Sequence, residues 1–411
     1  MENNSHSERL SFWRRTFSSL RYRDYRLYWY GSCTEHMGQQ METMASAWLM
    51  MELTNSPFYL GLLTFCKIAP LFFFALLGGV VADRWDRRKL LINSFWASAV
   101  VSTALLILAR TGLIAPWHLL LSAALTSAIV GINHPARDAL IPHLTPKEEW
   151  MNAIALDTIS VRTASILSAL LAGNIIAFFG TTPLFGIRTI GVLLAAFWLV
   201  RADIPPTSAR KHGAWQNLSH GLKYAAANGL IISLVLIFAL REFQHEMSST
   251  FLPFFADGIL HSGATGFGYL NMASGIGGVA GLFGVATLGN YKYKGNLIIF
   301  SGLLMGLLLM AFSVSQSLVL SLFLLMAANV FGTVFENVGR SALQIIVPDA
   351  MRGRIMSLRE VVRGFVGAWV SYGLGLGGEY LGVVITSLLL GLFIMLCVIA
   401  IYVLMPSFRK I

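Results

Sequence analysis

Long apolar runs dominate this chain, and short polar or basic stretches interrupt them at regular intervals. A helix that spans a bilayer takes about 20 mostly apolar residues. Twelve runs reach that length: 27–50, 58–82, 89–109, 114–134, 152–179 and 183–201, then 229–256, 264–289, 294–314, 317–338, 355–378 and 381–405. The interruptions sort by charge. The N-terminus, Asp83–Lys89, Arg137–Glu149, Arg201–Lys223, Lys292–Lys294, Arg340–Arg354 and the tail Arg409–Lys410 hold most of the Lys and Arg. The alternate connections, such as MELTNSP, TGLIAP and SVSQS, are short and nearly free of them. That alternation predicts an even number of spans with both termini in the cytoplasm.

Composition agrees. The chain is 56% hydrophobic and 12% charged, with mean hydropathy +0.67, against about 25% charged residues in a soluble domain. The net charge of +10 would suit nucleic acid if the cations formed a patch. Here they fall in the loops, so they predict topology and not nucleic-acid binding. Cys33, Cys66 and Cys397 are far apart in apolar runs, and no CxxC suggests a redox or zinc site. The N-terminal residues lack the apolar region of a cleavable signal. SFWRRTFSSLRY mixes aromatic and basic residues and suits an interfacial helix.

The chain also repeats itself. NHPARDALIPHL (133–144) and ENVGRSALQIIV (336–347) share an Arg-x-Ala-Leu core, with Arg137 matching Arg340. Each copy follows the fourth span of its half. The resulting plan is an all-α membrane protein of twelve transmembrane helices in two parallel six-helix pseudo-repeats. Its parts are a cytoplasmic N-terminal segment 1–26, a first half 27–202, a linker 203–221 and a second half 222–411. Such repeats place a binding site near the bilayer midplane.

Residues 78–90 read GGVVADRWDRRKL. Gly79, Asp83, Arg84, Arg87 and Arg88 match the signature loop G-x-x-x-D-R-x-x-R-R of the major facilitator superfamily. RDYRLYW, ELTNSPFYLGL and VPDAMRGRIMSL resemble the bacterial subgroup of enterobactin-type siderophore exporters and drug efflux carriers. The fifth span, with Gly173 but no proline, departs from the Gly-Pro-rich stretch common in exporters. The resemblance implies a multi-pass transporter of the bacterial inner membrane that works by alternating access. It also implies a cytoplasmic gate at the signature loop, with Arg352 and Arg354 as the second-half counterpart. Independently of it, Asp83 is suited to capping a helix N-terminus and the arginines to pairing with carboxylates. Arg359, Glu360 and Arg363 are assigned to the same gate.

Ionisable groups inside spans are expensive and are functional candidates by default. The first span carries Glu35, His36, Gln39 and Glu42. At about 100° per residue, Glu35, Gln39, Glu42 and Ser46 form one stripe, expected to line a cavity. The seventh span carries Arg241, Glu242, His245 and Glu246, with Glu242, His245, Glu246 and Ser249 expected on one face as the opposing wall. Lys67, Asp157 and Arg162 are further candidates. Lys67 suits neutralising a glutamate or receiving an anionic substrate. Asp157 and Arg162, five residues apart, are expected to pair across helices. Glu336 and Arg340, at i and i+4, are expected to form a local ion pair.

A carboxylate in a partly dehydrated cavity can exchange protons near neutral pH. The expected function is therefore proton-coupled export, by antiport, of a small amphipathic or metal-chelating organic molecule. The expected partners are that substrate, protons and the lipid bilayer, with the protein acting as a monomer. No cofactor is implied: there is no Walker A motif and no HExxH. The glycines Gly373, Gly375, Gly377 and Gly378 suit helix packing better than a phosphate loop. Two alternatives stand: transition-metal transport using His36, Glu242, His245 and Glu246, and a transport-inactive membrane receptor or scaffold.

Overall fold

The computed structural model describes residues 16–82, 86–138, 140–203, 222–225, 228–289, 291, 293–405 and 408. In lipid every backbone polar group must be satisfied within the chain, and among the described residues the apolar runs become twelve long helices. The first six are α1 (Arg23–Thr54), α2 (Pro57–Ala82), α3 (Arg87–Thr111), α4 (Pro116–Asp138), α5 (Trp150–Phe179) and α6 (Thr182–Arg201). The second six are α7 (Gly229–Phe254), α8 (Gly263–Leu288), α9 (Lys294–Val314), α10 (Leu318–Ile346), α11 (Asp349–Leu381) and α12 (Val383–Leu404). Each expected span falls on its own helix with an overrun of at most two residues, and most helices are lengthened by a few residues at the ends. The linker beyond Asp203 and the segment 1–15 lie outside the described residues.

Local chemistry sets the helix ends. The Asp86 side chain accepts from the Arg88 N–H at the start of α3, and Asn228 accepts from Leu230 and Ile231 at the start of α7. Gly112 adopts the left-handed conformation (φ 70°) and closes α3. Before α1 the chain forms a short 3-10 turn, Ser18–Arg21, and residues 11–15 of the stretch expected as an interfacial helix lie outside the described residues. The turn is tied to α5 by Arg21–Glu149 (3.0 Å) and by the Ser19 N–H donating to Asn152 Oδ1 (3.1 Å).

Within the first half α1 packs on α6 and α2 on α4; within the second, α8 packs on α10 and α9 on α12. Across the halves α2 meets α11 and α5 meets α8. The cross-half approaches are closest at the end away from the termini. There a Cβ on Gly61 would stand 2.5 Å from the Ser371 carbonyl, and one on Gly173 2.6 Å from Gly268 Cα. Trp48 stacks on Phe267 at 5.8 Å. The Glu379 carboxylate, at the end of α11, accepts from Ser56 Oγ (2.6 Å) and the Phe58 N–H (3.3 Å) at the start of α2. A carboxylate there is favoured by the helix dipole. Glu379→Gln is expected to loosen this tie: cysteines placed at the far end should label severalfold faster. Unchanged labelling would show that the tie carries no closure. Toward the terminal end, Arg162, Glu360 and Arg363 are open, so the halves are splayed there.

Among the described residues, nine of these twelve helices are long and apolar enough to cross a membrane on composition. The other three, α1, α7 and α11, carry the charges described next.

Candidate functional site

In the first half the Glu35/Glu42 stripe of α1 faces α6. Arg188, on α6 and 1% exposed, puts Nη1 3.2 Å from Glu35 Oε1 and Nε 3.0 Å from Glu42 Oε2. Its Nη1 also donates to the Glu35 carbonyl at 3.0 Å. Small residues permit this depth: Gly38 lies against the Arg188 backbone, and Gly191 against the Thr34 carbonyl. Arg137, on α4, donates to Glu35 Oε2 (3.1 Å) and to Ser32 Oγ (2.6 Å). Its Nη2 stands 2.8 Å from His36 Nε2. A guanidinium only donates, so Nε2 accepts and the imidazole proton sits on Nδ1, 3.5 Å from Glu35 Oε2. Ser32 Oγ donates to Asp157 Oδ1 at 3.0 Å. Glu35, His36, Gln39, Arg137 and Asp157 together line a cavity of about 330 Å³ inside the first half.

In the second half the α7 cluster divides. Glu242 and Glu246 are buried, while His245 and Ser249 are exposed, so the four residues expected on one face are split between two surroundings. Glu242 pairs with Arg363 of α11 at 3.2 Å. Arg241 Nη1 donates to Gln244 (2.6 Å), and its Nε lies 3.8 Å from Glu336. Glu336 takes Arg359 of α11 at 2.5 Å, and Arg359 also holds Glu360 at 2.6 Å. The expected local pair Glu336–Arg340 is therefore corrected: Arg340 is exposed, and a partner on another helix replaces the one along the helix. Arg359 and Arg363, expected at a gate, join the α7 and α10 carboxylates. Arg352 pairs with Asp349 (2.7 Å), and Arg354 contacts Met351 Sδ (3.4 Å); both contacts are local.

Between the halves, Lys67 Nζ donates to Thr43 Oγ1 of α1 at 3.1 Å. Glu42 and Glu246 are the carboxylates that act on it electrostatically. Arg162, on α5, is exposed and has no ion-pair partner among the described residues; its charge acts on His245 and Arg241 across the cleft. It does not meet Asp157. Of the signature loop, Gly79 lies in the last turn of α2, and Arg88 Nη2 donates to the Val200 carbonyl at the end of α6 (2.8 Å). Asp83, Arg84 and the Arg87 side chain lie outside the described residues.

The metal alternative needs His36, Glu242, His245 and Glu246 around one point. His36 instead lies on Arg137 and Glu242 on Arg363, and no group of three His, Cys, Asp or Glu forms a metal-holding cluster among the described residues. Arg188 is the residue that sequence reasoning passed over. Its signal was a lone arginine amid LFGIRTIGVLL, as anomalous there as Glu35 is in α1.

Comparison with known proteins fits this architecture. A family profile described as transmembrane secretion effector matches residues 14–410. The staphyloferrin A transporter of Staphylococcus aureus is 20% identical over 336 residues, covering 80% of this chain and 83% of that one. The enterobactin exporter EntS of Escherichia coli O1:K1 is 25% identical over 331 residues, covering 79% and 78%. Among solved structures, a bacterial homologue of the human lysosomal transporter Spinster, inward-facing and unoccupied, aligns with TM-score 0.68 at 15% identity over 94% of this chain and 96% of that one. A POT family transporter in complex with 5-aminolevulinic acid aligns with TM-score 0.74 at 12% identity, covering 94% and 96%. These structural likenesses concern the fold. The chain is a multi-pass membrane transporter and not an enzyme, and it belongs to the transmembrane secretion effector family of the major facilitator superfamily.

Proposed function

We propose that the protein exports a small acidic, amphipathic or metal-chelating organic molecule, driven by protons and by alternating access of a cleft between its halves. The observation that carries this reading is the chemistry of that cleft. Arg162 enters it from the first half without a carboxylate partner, and Arg363 and His245 stand open to it from the second. An unpaired guanidinium in a hydrated cleft suits bidentate recognition of a carboxylate or a similar anion. An apolar groove of about 420 Å³ between α7 and α11, walled by Phe243, Phe365 and Trp369, offers a surface for an apolar body. The relatives named for staphyloferrin A and enterobactin favour iron-chelating acids and phenols as the substrate class. With the basic loops in the cytoplasm, the splayed end faces the cytoplasm, where a compound for export is loaded.

Proteoliposomes loaded with iron-free enterobactin or staphyloferrin A test this. Imposing a proton gradient should drive the compound out, and collapsing the gradient should stop it. Efflux no faster than from protein-free liposomes, for both compounds and with the gradient in either direction, would remove the reading. Arg162→Gln should raise the half-saturating concentration about tenfold, the size expected for losing a charge-assisted hydrogen bond. Equal half-saturation would take Arg162 out of the site.

A further inference from the structure

The interior charges do not balance half by half. In the first half Lys67, Arg137, Arg162 and Arg188 stand against Glu35, Glu42 and Asp157, four against three. In the second half Arg241, Arg359 and Arg363 stand against Glu242, Glu246, Glu336 and Glu360, three against four. The surplus carboxylate is identifiable from geometry. Glu35, Glu42, Glu242, Glu336 and Glu360 each have an arginine within 4 Å. Glu246 is 3% exposed, its Oε2 has no hydrogen-bond partner, and no ion pair reaches it among the described residues. One turn along the same stripe, the buried Thr250 hydroxyl is also unpartnered.

The surroundings of Glu246 come from three helices. Its own helix gives Glu242 and Arg241, α11 gives Arg363, and α2 gives Lys67. Gly367 of α11 keeps the space open: a Cβ there would meet Glu246 Oε1 at 3.3 Å. Lys67 belongs to the first half, where Thr43 of α1 accepts from it and the charge of Glu42 acts on it. Its charge therefore answers to a carboxylate of each half, Glu42 and Glu246. It also sits three residues before Pro70, whose missing N–H frees a carbonyl in the preceding turn of α2.

We propose that Glu246 is the carboxylate that takes up and releases the coupling proton, and that Lys67 is the cation whose pairing passes between the halves as it does so. With Glu246 ionised, the Lys67 ammonium is drawn toward α7 and ties α2 to the second half. With a proton on Glu246, the charge that draws it is gone. Lys67 then rests on Thr43 and Glu42 within its own half, and the halves are free to rock. A buried carboxylate without a partner is costly as an anion and acceptable as an acid, whereas its arginine-paired neighbours have no such reason to change state. This assignment rests on the proton-coupled reading above.

The test uses the full chain in nanodiscs without substrate. Spin labels go at Leu113 and Leu381, both exposed at the far end and one on each half, with the three native cysteines replaced by serine. The label–label distance distribution is followed from about pH 5 to about pH 9, a range that brackets perturbed carboxylates. The native pairings should give a pH-dependent shift between two populations. Glu246→Gln should give a flat profile fixed at the low-pH population, and Lys67→Gln should also be flat. Glu242→Gln and Glu246→Asp should still titrate. A native titration persisting in Glu246→Gln would overturn the assignment, as would a shift driven by Na⁺ at constant pH. If the exported compound is of another class, liposome efflux of the siderophores fails while this titration stands, so the two failures are distinguishable.

Discussion

Arg188→Leu is expected to be among the most destabilising single substitutions in the first half. Removing one partner of a buried ion pair costs about 3–5 kcal/mol, because the remaining charge is left buried and uncompensated. Here Arg188 serves two carboxylates at once, and Glu42 has no other arginine within 4 Å among the described residues. Glu35 and Glu42 are seven residues apart, about 10 Å along the helix at about 1.5 Å per residue. The guanidinium spans that gap by reaching Glu35 with Nη1 and Glu42 with Nε. A lysine carries the charge as a single point, so Arg188→Lys should recover only part of the loss. Adding Glu42→Gln to Arg188→Leu should recover part as well, because it removes one stranded charge. Thermal unfolding of purified protein in detergent measures all three. A midpoint for Arg188→Leu no lower than that of the lipid-facing Leu193→Ala would refute the account.

Gly61→Ala should have a comparable effect on transport with much less effect on folding within either half. Its Cβ would lie 2.5 Å from the Ser371 carbonyl and 2.6 Å from Gly375 Cα, backbone atoms that cannot rotate away. Relief requires α2 and α11 to separate at the far end. That costs the closed arrangement seen here, including the Glu379 contact with Ser56. Efflux should fall sharply, and far-end cysteines should become reactive without a gradient. Gly173→Ala tests the matching crossing of α5 on α8, where the opposing atoms are also backbone. Normal efflux from both variants would show that this closure is not part of the cycle.

The fold was readable because lipid leaves the sequence few options. A run of sufficient length must be a helix, and alternating loop charge orders the ends. The interior chemistry was half readable. The spacing of Glu35, Glu42 and Ser46 showed that they share a stripe, but not which helix that stripe meets. The answer depended on Gly38 and Gly191, which let α6 approach closely enough to deliver Arg188. The same limit misassigned Glu336. Its neighbour at i+4 lay within reach along α10, yet Arg359 on α11 approaches to 2.5 Å and Arg340 turns outward. The repeat likewise matched Arg137 to Arg340, but only the first finds a carboxylate opposite. Periodicity ranks partners within a helix, and tertiary packing decides between helices.

The three helices whose composition falls short of a spanning segment, α1, α7 and α11, bear on how the chain enters the membrane. α1 leaves the ribosome ahead of α4 and α6, carrying Glu35 and Glu42, and the arginines that neutralise them follow on those two helices, more than a hundred residues later. Until Arg188 arrives, the first helix is a poor resident of hydrocarbon. It must wait at the insertion machinery or in a hydrated setting, and α6 completes the insertion of α1 as well as its own. A chain truncated between α4 and α6 should therefore leave its first span extractable by alkali, and extending it through Arg201 should make that span integral.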